Sequence, residues 1–288
     1  MGWKDDRKKY FVLDEQTKQY ARIASNAKTT LELSKACQRM YIADYINLEG
    51  VDLRLAKYSL TAVYRILKDY PALKSQINYF GNLKGFVTQK DKLFAFLNKD
   101  ADDYVKNEMK KLTDQTAMNA KNSLVGPGLA LAFLTAVGNY RFSGVIIDET
   151  DFDEQKILED LKYSEKAGHN PKNCCSVKSV VDHELGHLLD YWLDLRTNPE
   201  IIEPLRQAGP FYVQKNLSLY SVQNGYIDYA EAIAEGFSEA RNNPKPRRLA
   251  QIIKATIDKS YQRKLIEIEN QENRKYKKNS RIVWEKNK

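Results

Sequence analysis

Ser179-Val180-Val181-Asp182-His183-Glu184-Leu185-Gly186-His187-Leu188-Leu189-Asp190 is the stretch from which the rest of the chain takes its meaning. His183 and His187 stand four positions apart. In a helix of about 3.6 residues per turn they leave the same face and can bring two ring nitrogens to one ion. Glu184 lies beside that face, where it can take a proton from a metal-bound water. Zinc lowers the pKa of such a water to about 7, within reach of a carboxylate base at neutral pH. Val180, Val181, Leu185, Leu188 and Leu189 surround the ligand face with apolar surface. Gly186 costs about 1 kcal/mol against Ala inside a helix, so a close neighbour is expected there. The plainer reading is an amphipathic helix with no metal; against it, the chain has only 3 histidines and two of them are here.

A zinc hydrolase takes three protein ligands and keeps one position open. A third His six residues after His187 is absent, since Leu193 stands there and Asp190 holds the midway position, so the third ligand is a carboxylate. The candidates are Glu200, Glu203, Glu231, Glu235 and Glu239. Glu200 and Glu203 flank Pro199 and Pro204 in an expected connecting loop. Ile227 to Ala240 reads as a helix, with Glu231 and Glu235 on one face beside Ala230 and Ala234, small enough to let this helix approach the His helix. Two acidic groups on a mostly apolar helix need a partner when buried. Glu231 is therefore the expected ligand and Glu235 the carboxylate that orients a ligating His, although the two roles can exchange. Asp190, one turn after His187, is a further candidate for that supporting shell. Tyr220 is the expected donor to the developing oxyanion, with Tyr226 and Tyr229 as rivals. His169 is expected at the surface.

Composition bounds the remainder. The 288 residues, 42% hydrophobic and 29% charged, describe a globular chain large enough for a substantial core. No apolar run approaches the roughly 20 residues needed to span a bilayer, so no membrane contact is expected. The segment after Met1 lacks the apolar region of a signal peptide. Cys37, Cys174 and Cys175 are few and poorly spaced for disulfides, which suits a reducing compartment and buried, small apolar roles. The net charge is +8, with a basic tail at residues 271–288 that offers a weak nucleic-acid contact.

The expected fold is α+β and predominantly helical. Residues 1–125 form a helical scaffold or docking region, residues 126–270 a zincin-like domain with a small sheet beside the His helix, and residues 271–288 the tail. Within the first region, Thr30 caps one helix, Val51 to Tyr70 forms another ended by Pro71, Phe80 to Gly85 is a loop, and helices follow at Lys90 to Leu97 and Ala101 to Lys121. Gly126-Pro127-Gly128 marks the boundary. Leu129 to Val137 is apolar, and Tyr140 to Ile147 is rich in strand formers. A strand beside the His helix would give an extended peptide an edge to pair with. Asp151 or Asp153 starts a helix that ends at Gly168. A last helix from Arg247 to Asn270 carries Leu249, Ile252, Ile253, Ile257, Tyr261, Leu265 and Ile268 at helical spacing.

Two resemblances follow from these residues. His183-Glu-Leu-Gly-His187, Asn216-Leu-Ser-Leu-Tyr220-Ser and Glu231-Ala-Ile-Ala-Glu235-Gly-Phe together resemble the catalytic domain of the anthrax lethal factor group of gluzincin metallopeptidases. That likeness implies zinc held by His183, His187 and Glu231, with Glu184 as base and Tyr220 assisting. Gly168-His-Asn-Pro-Lys-Asn-Cys, Ser176 to His187, Ala234-Glu-Gly-Phe and Asn243-Pro-Lys-Pro-Arg resemble metallopeptidase-like segments of bacteriophage minor head, or head morphogenesis, proteins. This second likeness implies a phage product in the virion or host cytoplasm, with capsid or portal proteins as partners. The expected function is a zinc metalloendopeptidase acting on a protein substrate. The alternative is a structural minor head protein in which zinc only stabilises the fold.

Overall fold

The computed structural model describes residues 10–124, 129–148 and 152–286, with side chains through Arg274. The boundary motif Gly126-Pro127-Gly128, Asp151 and Lys288 lie outside the described residues. The chain is mostly helical, with a small mixed sheet. In order, it forms α1 (Glu15–Asn26), α2 (Thr30–Met40), β1 (Tyr45–Asn47), α3 (Leu53–Asp69), β2 (Tyr79–Asn82), α4 (Leu83–Leu97), α5 (Asp103–Ser123), β3 (Ala130–Val137) and β4 (Tyr140–Ile147). There follow α6 (Glu154–Lys166), α7 (Val177–Leu193), α8 (Pro199–Asn216), the two-residue strands β5 (Val222–Gln223) and β6 (Tyr226–Ile227), α9 (Tyr229–Asn242) and α10 (Arg248–Lys286).

Local chemistry sets most of these ends. Side-chain oxygens of Asp14, Thr29, Asp52, Asn82, Asp102, Asp153 and Ser176 each accept a backbone N–H in the first turn of the helix that follows. The cap of α2 is thus Thr29, one residue before the expected Thr30. Ser176 and Ser179 form a reciprocal capping box at the start of α7, which anchors the first turn of the His helix. Gly168, with φ +84, turns the chain out of α6.

The sheet has the order β1-β2-β4-β3, with β1, β2 and β4 parallel and β3 antiparallel to β4. Its two faces bury different helices. Phe80, Val145, Ile147 and Ala130 join the core that contains α3 and α7, while Tyr79, Phe142, Ile146 and Phe133 join an aromatic cluster under α4 and α5. This alternation is the two-residue period of a strand with both faces covered. Strand β3 is one edge of the sheet, β1 being the other, and it runs against α7.

Three expectations change here. Phe80 to Gly85 is not a loop: it is the end of β2 followed directly by the first turn of α4. Gly81 is required because a Cβ at that position would meet the backbone of Asn47 in the parallel neighbour β1. The proposed boundary near residue 126 does not separate two cores, since strands from residues 45–47 and 79–82 pair with 140–147 and one hydrophobic cluster runs from Phe11 to Tyr261. The last helix does not end at Asn270 but continues to Lys286, so the basic tail extends it. Leu249, Ile253, Ile257 and Tyr261 bury its first half, as their spacing predicts.

Candidate metal centre

Helices α7 and α9 pack side by side, and small residues make the approach possible. A Cβ on Gly186 would lie 3.0 Å from Ala234 Cα and 3.3 Å from Phe237 Cδ1, so the glycine is where the two backbones come together. Behind the contact, buried charges are paired. Asp182 accepts from Arg241 Nε at 3.3 Å and from Asn242 at 2.9 Å, and Ser238 Oγ donates to the Ser179 carbonyl at 2.8 Å. Such pairing is what makes buried carboxylates tolerable on apolar helices.

On the opposite side of the contact, three side chains converge. His183 and His187 bring their Nε2 atoms to 3.1 Å, and their rings stand nearly perpendicular. Glu231, in the first turn of α9 above its cap Asp228, places Oε2 3.4 Å from His183 Nε2 and Oε1 3.6 Å from His187 Nε2. A tetrahedral ion with bonds of about 2.0–2.1 Å has ligand atoms about 3.3 Å apart. The observed separations fit that geometry, and an N,N,O donor set suits a divalent transition metal. Among the described residues, His183, His187 and Glu231 are the group able to hold a metal ion. All three are partly exposed, so the open side of the triad is reachable from solvent.

The supporting groups are unequal. Glu235, one turn further along α9, is almost fully buried and lies 3.7 Å from His183 Nδ1, on the side of the ring away from the triad. That position suits a carboxylate that orients the imidazole. Glu184 is buried, and its Oε2 accepts the Ala132 N–H of β3 at 2.6 Å, so the carboxylate is tied to one edge of the sheet. Burial pushes the Glu184 carboxyl above its ordinary range, with His183 and the Ala132 amide opposing. For His183, burial works against the charged form, but Glu235, Glu231 and Glu184 outweigh it and hold the imidazole well above its usual value. Burial and the charge on His183 drive His187 down to about 3. Burial opposes ionisation of Glu231, yet His183 and His187 keep its carboxyl below the usual range.

Other expected residues lie elsewhere. Asp190 is completely buried but faces Arg196, whose Nε donates to Oδ2 at 2.5 Å, while Oδ1 has no hydrogen-bond partner. Tyr220 is 53% exposed and packs on His169 with ring centres 5.7 Å apart; among the described residues it makes no hydrogen bond to the triad. Its rivals Tyr226 and Tyr229 instead line a cavity next to Glu231. His169 is at the surface, as expected. Glu239 is fully buried against Arg247, which donates through Nε at 3.0 Å and Nη2 at 2.6 Å. Glu200 and Glu203 belong to α8 rather than to a loop, and pair with Lys259 and Arg206. Two contributors escaped sequence reasoning: the Ala132 amide, because a backbone group carries no residue signal, and Arg196, which α7 reaches only through the left-handed turn at Asp194.

No family model, no curated protein and no solved structure matches this chain. The likenesses to the lethal factor group and to phage head proteins rest on the quoted motifs alone.

Proposed function

We propose that this chain is a zinc-dependent metallopeptidase of the gluzincin type that hydrolyses peptide bonds. The observation that carries the reading is the triad His183, His187 and Glu231, at separations of 3.1 to 3.6 Å, with the Glu184 carboxylate next to it on the same helix. Zinc bound there would polarise a carbonyl and acidify a water molecule. The protein supplies the rest. Glu184, made more basic by burial, accepts the proton of the attacking water and returns it to the leaving amine. Ala132 N–H holds that carboxylate in place, and Glu235 steadies the His183 ring. The free edge of β3 offers backbone groups to an extended peptide lying beside the triad. By likeness to phage head segments, the proposed setting is a phage-encoded product of the virion or of head assembly, acting on capsid or portal proteins.

Elemental analysis and hydrolysis of a denatured protein substrate test the proposal together. The expected result is about one zinc per chain, lost in Glu231→Ala and kept in Glu235→Ala, with turnover that chelation abolishes. A well-folded protein without zinc would overturn it. A second reading, a silent minor head protein with a stabilising metal, is favoured by the position of Tyr220 on His169 rather than on the triad. Zinc that raises the melting temperature, with no turnover on any protein tested and copurification with phage heads, would establish that reading instead. Contact between residues 271–288 and nucleic acid is a separate proposal: binding that survives deletion of those residues, or ignores salt, would remove it.

A further inference from the structure

Arg196 has more to do than neutralise Asp190. It sits in the short 3-10 turn Leu195–Thr197 just after α7, and its side chain is 50% exposed although its partner is completely buried. Only Nε is engaged. Among the described residues no hydrogen bond or ion pair reaches Nη1 or Nη2, so the outer edge of the guanidinium fork is open. Arg196 lines a cavity of about 360 Å³, whose remaining walls are the β5–β6 hairpin and the first residues of α9, with Tyr226, Tyr229 and Ala230 among them. Glu231, the third member of the triad, is the next residue after Ala230. The cavity and the metal centre are therefore neighbours on one helix end.

The other charged group of the cavity is already engaged. Asp228 uses Oδ1 to cap α9 through the N–H groups of Ala230 and Glu231, and its Oδ2 accepts from Gln223. A planar fork held through Nε by a buried carboxylate, with its Nη1–Nη2 edge free and tyrosines lining the same cavity, can receive a carboxylate in two-pronged fashion. A lysine could not combine both tasks.

We infer that the cavity lined by Arg196, Tyr226 and Tyr229 is a specificity pocket that binds a carboxylate of the substrate, an acidic side chain within a residue or two of the scissile bond. The inference rests on the metallopeptidase reading of the triad, and it names the substrate class: acidic peptides.

The test uses ligands that anchor on the metal without being cleaved. Mercaptoacetyl-Glu-Ala-amide and acetyl-Ala-Glu-hydroxamate, each beside its Gln counterpart, extend in opposite directions from the ion. Binding is measured by calorimetry on the full zinc-loaded chain. The expected outcome is that at least one Glu ligand binds about tenfold tighter than its Gln partner, as a charge-assisted bidentate contact provides. Arg196→Gln is expected to bring the ratio to about one while zinc stays bound. Because Arg196→Gln leaves a buried carboxylate without its partner, the double variant Asp190→Asn with Arg196→Gln is measured in parallel and should lose the preference in the same way. Equal binding of the Glu and Gln ligands to zinc-loaded wild type, or a preference that survives both variants, would overturn the pocket and leave the peptidase reading intact. Failure of the wild type to bind zinc would overturn both. A Glu preference without turnover on acidic peptides would remove the peptidase reading, and with it the pocket's part in choosing a substrate, leaving a cavity that binds carboxylates.

Discussion

On one face of the sheet Tyr79, Phe86, Phe94, Phe133 and Phe142 pack ring against ring, with centres 4.7 to 6.4 Å apart; on the other, α7 carries Asp182, Glu184 and Asp190 into the interior. The first face is a hydrophobic core in the ordinary sense, where area removed from water drives assembly. Its buried cation, Lys90, extends to the exposed carboxylates of Asp91 and Asp114. The second face keeps charge inside and must satisfy it, through Arg241 for Asp182, the Ala132 amide for Glu184 and Arg196 for Asp190. One strand pair serves both. Both faces are packed with apolar side chains, but the buried acidic groups of α7 and the triad lie on one of them alone, so damage to the aromatic side should be separable from damage to the triad.

The sharpest way to break that division is Glu184→Gln. Hydrolysis should fall by about 10²–10⁴-fold, the range for a lost general base, while zinc content and melting temperature hold. Unchanged turnover would take Glu184 out of the mechanism. On the opposite face, Phe142→Ala should cost about 3–5 kcal/mol in urea unfolding, because the ring touches three others, and leave zinc stoichiometry as it was. If zinc is lost as well, the two faces are not independent.

Asp190 gives a finer probe through pH. Burial pushes its carboxyl up to about 6, against the pull of Arg196. A carboxyl raised in the fold holds its proton more tightly folded than unfolded. Its stabilising contribution is therefore complete below about pH 4 and is lost as pH climbs through about 6. Asp190→Asn should flatten stability over that window, with a difference of up to about 3 kcal/mol between its ends. An unaltered profile would show that Arg196 keeps Asp190 ionised throughout. The smallest effect is expected from Gly186→Ala. Its new methyl meets Ala234 Cα, and helix propensity offsets part of the clash, for a net cost of about 1–2 kcal/mol. Because Glu231 rides on the displaced helix, chelator competition should also show weaker zinc binding.

The candidate metal-binding triad was legible because its signal is local. Four-residue spacing places His183 over His187 and Glu231 over Glu235 wherever a helix forms, and Gly186 and Ala234 announced the close crossing of the two helices. The sheet was not legible, because its specification is distant. β1 has three residues and β2 four, too short for alternation to register, and Gly81 read as a turn when its role is to lie against Asn47, 34 positions earlier in the chain. Asp190 and Tyr220 were misplaced for a similar reason: spacing told how near they stand to the motif in sequence, not that Arg196 and His169 would hold them. Arg196 itself sits beyond a left-handed residue, where helical periodicity no longer predicts direction.

The order in which the ligands occur has a consequence for synthesis. His183 and His187 leave the ribosome before Glu231, and α10, which locks onto the older part of the chain through Tyr261 on the Ala72 N–H and Asp258 on Tyr70, comes later still. Domains form during translation from the N-terminus onward. A nascent chain that has reached His187 has two ligands, a base and a completed sheet edge, but no third donor to close the set. The cutting activity proposed for this protein is thus withheld until Glu231 has been made and α9 has packed on α7.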